Sequence, residues 1–513
     1  MRPYHRYILV KEENHNQETE RRLFDRILKY TGVFGSVQGV AMIVTLVLAK
    51  VKSVMLGTAG YGMTENLNRT ADIVKNATNL GIQTVAIPKV SEHSDDADDT
   101  LLRESILMTR SWALLTAMLG MAVCLVLAPF LGKWAFAGDT GYTVSFMFMS
   151  IAVAAAAVTG GEMAVLRGTK LLRQIALSQL FASIISLCIS VPLYWFFKLG
   201  GVVPALVLTA VGTMCITCFY SFRSYPYRSC PFSIAVLRKG FGMIGFGVFF
   251  TITAFLSAWA WSIIARFLTN NGGAELTGTY SAGYMLVIYF TTLLLSVTDS
   301  EYFPRLSAAG QDMKLVHRTV NSQAQAMLML AAPLVICFII VMPLVVYVVL
   351  EYEKFHNSIA LAQLAVVGVF FKSVSQPIAY LTLSKSDPLT YLIQETLCYI
   401  SLIICVIAGY NYLGTIGIGL SLALWELVYL VIVTIITRLR YGYVMSRELV
   451  IFFLIQLLLV AGASAFSLQE QRVWLVVNLL LLVVSAACSL GFFSRHTTFL
   501  SGLSGKIKGH FKH

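Results

Sequence analysis

Charge is scarce in this chain. Asp, Glu, Lys and Arg make up 12% of its 513 residues, against about 25% in soluble globular proteins, which excludes a soluble enzyme of this size. Long polar connections are also missing. The stretches between apolar runs reach only about twenty residues, too short for a glycosyl-transfer or polymerase domain. No G-x-x-x-x-G-K-[ST] loop occurs, so this chain by itself is not an ATPase of that kind. The nine cysteines include Cys124, Cys188, Cys337, Cys405 and Cys488 within apolar segments. Cys215 and Cys218 form a C-x-x-C inside VLTAVGTMCITCFY, and no His or second Cys pair accompanies them to build a metal site. The opening MRPYHRYILVKEENHNQETERRLFDRILKY is charged and lacks a signal-peptide core, so it is expected to stay in the cytoplasm.

What the chain has is hydrocarbon. Hydrophobic residues make up 57% of it, arranged in runs of roughly 20 residues, enough for a helix to cross a ~30 Å apolar core. The pattern predicts an all-α polytopic membrane protein with about fourteen transmembrane helices. They fall near 31–51, 64–88, 110–131, 142–166, 173–196, 201–222, 242–267, 279–300, 325–350, 359–383, 388–410, 414–437, 448–466 and 473–493.

The segment 64–88 is the exception to plain hydropathy. Glu65, Asn68, Asp72, Lys75 and Asn79 recur at steps of three and four, which gives one polar stripe on a helix. Charges at membrane depth are costly unless paired or hydrated, so the stripe is expected to line a wet interior. Counting this segment as a helix puts 28 Lys and Arg on the side of the N-terminus and 8 on the other. That asymmetry places both termini in the cytoplasm. It also accounts for the net charge of +12 without nucleic acid.

A weak internal repeat divides the chain. AKVKSVMLGTAGYGM is matched by ARFLTNNGGAELTGTYSAGYM, and IPKVSE by FPRLSA; Lys50 to Arg266 and Pro88 to Pro304 are both offset by 216, while the glycines between drift by about five. The expected layout is a cytoplasmic arm (1–30), a six-helix bundle (31–222), a cytoplasmic linker (223–241), a second six-helix bundle (242–437), two extra helices (448–493) and a basic cytoplasmic tail (494–513). Parallel repeats of this kind are a transporter signature, with the substrate site near midplane.

Ionisable residues inside spans are functional candidates by default. The segment 64–88 offers Glu65, Arg69, Asp72 and Lys75, and Arg266 lies near the outer end of 242–267. Lys372 stands in GVFFKSVSQPIAY with Gln376 one turn on, Glu395 in LIQETLCY and Glu426 in LALWELVY. Blander readings compete. Arg266 and Lys50 can snorkel to headgroups, Asp72 and Lys75 can pair at i,i+3, and Glu162 is expected to pair with Arg167. Lys372 is too deep to snorkel.

The run LGTAGYGMTENLNRTADIVKNATNLGIQTVAIPKVSE resembles the first helix pair of bacterial O-antigen and polysaccharide flippases (Wzx-type), in the multidrug/oligosaccharidyl-lipid/polysaccharide superfamily. DSEYFPRLSAAGQDMKLVHRTVNSQAQAMLMLAAPL, with its aromatic-Pro-Arg-Leu-Ser and Asn-x-Gln features, and KSVSQPIAYLTLSKSDPLTYLIQE are similar to later parts of the same family. The resemblance implies two six-helix bundles in a V with alternating access. It implies transfer of undecaprenyl-diphosphate-linked oligosaccharide from the inner to the outer leaflet of the bacterial cytoplasmic membrane, without enzymatic activity or cofactor. Arg69, Lys75, Arg266 and Lys372 would hold the diphosphate, with Lys50 and Lys52 at the mouth. Asn68, Asn79, Gln38 and Gln376 would meet sugars. Asp72, Glu395 or Glu426 would bind a coupling proton or sodium ion. A polysaccharide polymerase and a chain-length regulator are the implied partners. A multidrug exporter or a peptidoglycan-precursor (lipid II) flippase of the same superfamily is the alternative, and a membrane-embedded polymerase or ligase would need the large loop that is missing.

Overall fold

The computed structural model describes residues 41, 43–92, 99–136, 139, 141–226, 237–238, 240–308, 312–385, 387–467 and 473–496. The arm 1–30, Gln38, most of the linker 223–241 and the tail beyond 496 lie outside the described residues. Every regular element among the described residues is helical. Ten stretches are long and apolar enough to cross a membrane: Ile43–Thr78, Thr100–Ala135, Thr143–Gly168, Arg173–Ser224, Gly247–Leu295, Met313–Val349, Asn357–Ser384, Pro388–Tyr441, Arg447–Ser467 and Trp474–Phe492.

Four of these stretches fold back on themselves. Pro388–Tyr441 has 54 residues, which would run roughly 80 Å if straight. It turns at Gly414 (φ 61°, ψ −141°), and Gln394 Nε2 then donates to the Tyr429 hydroxyl at 3.0 Å. Gly247–Leu295 turns at Gly272–Gly273, bringing the Trp261 and Tyr284 rings to 4.9 Å. Arg173–Ser224 turns at Lys198 (φ 48°) through a short 3-10 turn, Lys198–Gly201. Ile43–Thr78 turns at Gly57 (φ 65°), which lets Lys52 Nζ sit 5.3 Å from the Tyr61 ring centre. Left-handed backbone is cheap for glycine and strained for other residues, so glycine marks three of the four turns.

The helix expected over 64–88 starts earlier and is broken. It leaves the Gly57 turn and ends at Thr78; Leu80 and Gly81 take positive φ, and a second helix covers Ile82–Glu92. A left-handed glycine just past a helix end is a common stop. Here it also permits close packing, because a Cβ on Gly81 would lie 2.5 Å from the Gly247 carbonyl oxygen.

The chain forms two compact units: Met1–Val51, Thr78–Leu127 and Met147–Val248 make one, and Lys52–Ala77, Ala128–Phe146 and Phe249–His513 the other. In the first unit Ile82, Ala86, Met108, Trp112 and Ala164 form a buried cluster, continued by Val90, Leu102, Ile106 and Val165. A buried ion pair stands beside this core. Arg110 Nε lies 3.0 and 3.1 Å from the two Glu162 oxygens, and its other nitrogens donate to Tyr225 O and Ser221 Oγ. Ser221 in turn donates to Glu162 Oε2. The expected Glu162–Arg167 pair is therefore corrected to Glu162–Arg110. Five residues along a helix is about 140° round its axis, so Arg167 starts on the wrong face.

Both members of the Arg110–Glu162 pair are 3% exposed. Removing one partner of such a pair typically costs about 3–5 kcal/mol, because the other charge stays buried. Arg110→Met should therefore lower the melting temperature in detergent sharply, and Arg110→Met/Glu162→Gln should recover a large part of the loss. Equal melting for the single and double variants would count against this account.

In the second unit two hairpins cross glycine on glycine. A Cβ on Gly62 would meet Ala274 O and, at 2.8 Å, Gly278 N; a Cβ on Gly278 would meet Thr58 O and, at 3.0 Å, Gly62 N. The contacts are reciprocal, and Gly62/Gly278, Thr58/Ala274 and Gly57/Gly273 are all offset by 216. Gly57 and Gly273 both take positive φ, 65° and 67°. The expected drift of the glycines is thus corrected: the repeat stays in register through the turn, and a local pseudo-twofold relates the two hairpins at their crossing.

The Asn-x-Gln feature has a structural use. Asn321 Oδ1 accepts from Tyr443 Oη at 3.1 Å and from Ser446 N at 2.9 Å, while its Nδ2 donates to Val444 O. It pins the connection after Gly442. Between the last two helices, Gln456 bonds Ser485 and Ser489. Interhelical polar contacts in membranes contribute about 0.6–2 kcal/mol, so Gln456→Leu should lower the melting temperature in detergent modestly, and an unchanged melting temperature would contradict that assignment.

Candidate functional site

The second unit holds a cavity of about 350 Å³ lined by Tyr284, Thr291, Thr292, Gly368, Lys372, Gln376, Trp425 and Glu426, among others. Three helices build it. Val367–Ser384 supplies Lys372 and Gln376, spaced four apart on one face. Pro388–Tyr441, after its Gly414 turn, supplies Trp425 and Glu426. The returning arm of the Gly273 hairpin supplies Tyr284, Thr291 and Thr292. Gly368 lets the first two approach: a Cβ there would lie 3.2 Å from both Glu426 Cγ and Leu422 O.

Lys372 Nζ donates to Glu426 Oε1 at 3.2 Å, and the lysine side chain is 36% exposed against 8% for the glutamate. The second carboxylate oxygen, Oε2, is buried without a hydrogen-bond partner. Gln376 Nε2 donates to the Tyr380 hydroxyl at 3.1 Å. Glu395 stands further along the same helix pair, where its Oε1 accepts from Tyr429 at 2.8 Å and Gln394 bonds the same hydroxyl.

An aromatic wall joins this cavity to Arg69. The Trp261 ring lies 4.9 Å from Tyr284 and 5.8 Å from Trp425, both of which line the cavity. The Arg69 guanidinium sits 5.3 Å from the centre of the same Trp261 ring. Arg69 Nε is 3.9 Å from Glu65 Oε2. Cation–π contacts of this kind contribute about 0.5–2 kcal/mol, and they hold the arginine without neutralising it.

The remaining sequence candidates are spread out. Lys75 Nζ pairs with Asp72 Oδ1 at 3.0 Å, the i,i+3 pair weighed from sequence. Lys52 lies over Tyr61. Arg266 lies 4.1 Å from the ring centre of Trp134, whose indole N–H donates to Ser262. Asn68 is half-buried in the second unit; Lys50 and Asn79, also half-buried, belong to the first. The structure thus gathers Lys372, Gln376 and Glu426 in one cavity, links Arg69 to it through aromatics, and leaves Arg266, Lys52 and the Lys75–Asp72 pair at separate positions. Sequence reading missed Trp261, Tyr284 and Trp425. One cue was present: Trp425 falls mid-span rather than in the interfacial belts where Trp is usual.

A family model described as "Polysaccharide biosynthesis protein" matches residues 55–360. No curated protein matches this chain. Among solved structures, the lipid II flippase MurJ in an inward closed conformation is similar with a TM-score of 0.66 at 13% identity, over 90% of this chain and 99% of that one. An inward-facing multidrug resistance MATE family transporter of the MOP superfamily gives 0.61 at 12% identity, over 79% and 94%. The Vibrio cholerae MATE transporter VcmN in its bent form gives 0.54 at 13% identity, over 81% and 97%. At such identities the likeness establishes the fold, an all-helical multi-pass membrane architecture.

Proposed function

Because this chain belongs to the polysaccharide biosynthesis protein family, we propose that it flips undecaprenyl-diphosphate-linked oligosaccharide repeat units, of O-antigen or capsule type, from the inner to the outer leaflet of the bacterial cytoplasmic membrane. The observation that carries this reading is the cavity of the second unit, where Lys372 stands beside a wall of Trp261, Tyr284 and Trp425 with Arg69 behind it. A diphosphate needs cations to leave water. Sugar rings stack on aromatic faces and bond to Thr, Asn and Gln side chains. A lipid tail needs no site of its own, because it stays in hydrocarbon.

In this reading Lys372 and Arg69 meet the diphosphate. Arg266, Lys75, Lys50 and Lys52 guide it electrostatically, and Gln376, Asn68 and Asn79 contact glycan. Glu395 and Glu426 are the stronger candidates for a coupling proton or sodium ion. Glu426 is buried in the cavity with one oxygen unpartnered and Glu395 stands on the same helix pair, whereas Asp72 is half-exposed and engaged by Lys75. Both termini lie in the cytoplasm, and a polymerase and a chain-length regulator receive the product. Transport requires the Gly62–Gly278 crossing to part and re-form. A multidrug exporter, handling cations, would not favour Lys372 and Arg69 in its path.

The test is genetic and chemical. Bacteria lacking this gene should lose surface polysaccharide and accumulate the lipid-linked repeat unit in the inner leaflet, and the wild-type gene should restore both. Normal surface polysaccharide in the deletion strain, with raised sensitivity to cationic drugs, would replace this reading with drug export.

A further inference from the structure

Among the described residues, two Lys/Arg–Glu pairs join different helices, and they are built in opposite ways. Arg110–Glu162 is closed: both side chains are 3% exposed, both glutamate oxygens are bonded, and Ser221 and Tyr225 take up the remaining donors. Lys372–Glu426 is open. One oxygen of Glu426 receives one bond at 3.2 Å, the other is buried and unpartnered, and the lysine faces a cavity with room for a phosphate group. A pair kept for stability alone would be expected to resemble the first. Resting on the function proposed above, we infer that Glu426 is a built-in counter-anion for Lys372, which a phosphate on the cargo displaces and which takes up a proton on being displaced.

The chemistry follows from charge. At rest the lysine ammonium and the carboxylate neutralise each other. When a phosphate oxygen takes the ammonium, the carboxylate is left against Gly368, Leu422, Trp425 and Tyr284, an apolar and aromatic setting that disfavours an unpaired anion. One proton from solvent converts it to the neutral acid. No bond of the cargo breaks, and the net charge gained by the site is that of the cargo plus one proton.

The groups facing Glu426 are Lys372 on Val367–Ser384, Tyr284 on the Gly273 hairpin, and Glu395 and Cys398 on its own stretch, Pro388–Tyr441. The adjoining helix Asn357–Ala365 carries no ionisable side chain. Glu395 is the competing proton acceptor, and it already accepts from Tyr429.

The sign of the linkage is fixed. Protonating Glu426 frees Lys372, so anion affinity rises as pH falls. Uptake of one proton per anion gives about a tenfold gain in affinity per pH unit where Glu426 is ionised in the unliganded protein.

The experiment is titration calorimetry on the full-length purified protein in detergent with undecaprenyl diphosphate, in two buffers of different ionisation enthalpy across pH 6 to 8. Undecaprenol serves as the lipid without phosphate and inorganic pyrophosphate as the phosphate without lipid. The wild type should take up about one proton per undecaprenyl diphosphate bound. Glu426→Gln should bind at least tenfold more tightly at pH 8 and take up none, and Gly200→Ala, where an added Cβ meets nothing within 4 Å, should match the wild type. Lys372→Met/Glu426→Gln, which keeps the pair site neutral, should keep its melting temperature and lose binding. Pyrophosphate binding as tight as the lipid's would make the ligand a free phosphate while leaving the exchange intact.

Unchanged affinity and proton uptake in Glu426→Gln, with wild-type binding intact, would overturn the exchange and spare the flippase reading. Equal binding of undecaprenol and undecaprenyl diphosphate by the wild type would overturn the flippase reading itself.

Discussion

Gly278→Val should abolish flipping while the protein still inserts into the membrane. A Cβ at this position would overlap Thr58 O and come within 3.0 Å of Gly62 N, and both neighbours are backbone, which cannot rotate away. The two hairpins would have to separate, so every state in which they cross is penalised. A transporter that must both close and open this crossing would be shifted towards the open state. Gly62→Val should act in the same way, because the contact is reciprocal. Gly200→Ala is the control, since an added Cβ there meets nothing within 4 Å. The measurement is maleimide labelling of Ala274→Cys in membranes alongside a flipping assay. Faster labelling and lost flipping in the valine variants, with wild-type behaviour in Gly200→Ala, is the expected pattern. Unaltered flipping in Gly278→Val would show that the crossing does not have to close.

Lys372→Met carries the second large effect, and it has two parts that can be separated. The single substitution leaves Glu426 without its partner, and because a proton can then neutralise the carboxylate the loss of stability should be smaller than for Arg110→Met. It also removes the cation from the cavity. Lys372→Met/Glu426→Gln removes both charges, so it should melt close to the wild type and still fail to flip. Flipping at wild-type rate in that double variant would reduce the pair to a structural contact.

The membrane-spanning character and all-helical fold were legible because apolar runs of spanning length and the Lys/Arg asymmetry are each properties of the chain alone. The turns were partly legible. The Gly57 and Gly273 turns fall between expected spans, whereas Gly414 is the first residue of the expected span 414–437. The register of the repeat was legible at Lys50/Arg266 and Pro88/Pro304 but not through the turn between them. Gly-Thr and Gly-Tyr dipeptides recur near both hairpins and suggest a shifted alignment, whereas the true equivalence is set by backbone conformation: Gly57 and Gly273 both need positive φ, and Gly62 and Gly278 both need to lack a Cβ.

In the candidate site, Lys372 and Glu426 each stood out as charges in apolar runs. Nothing in the sequence says that residues 54 positions apart are partners. Glu162 illustrates the same limit, since its nearest arginine in sequence was on the wrong face and its partner lay on another helix. The aromatic wall was hardest to see, because Trp261, Tyr284 and Trp425 meet only once two hairpins have folded.

The central claim is that this protein moves a phosphate-linked glycolipid using the Lys372 cavity. Its most direct test is flipping in proteoliposomes, with undecaprenyl-diphosphate oligosaccharide loaded in one leaflet and its exposure in the other followed over time. Wild-type protein should flip the lipid, and Arg69→Ala and the neutral Lys372→Met/Glu426→Gln variant should lose most of that activity at equal protein level. Failure of the wild type with its native glycolipid, together with export of small cationic drugs by the same vesicles, would contradict the account.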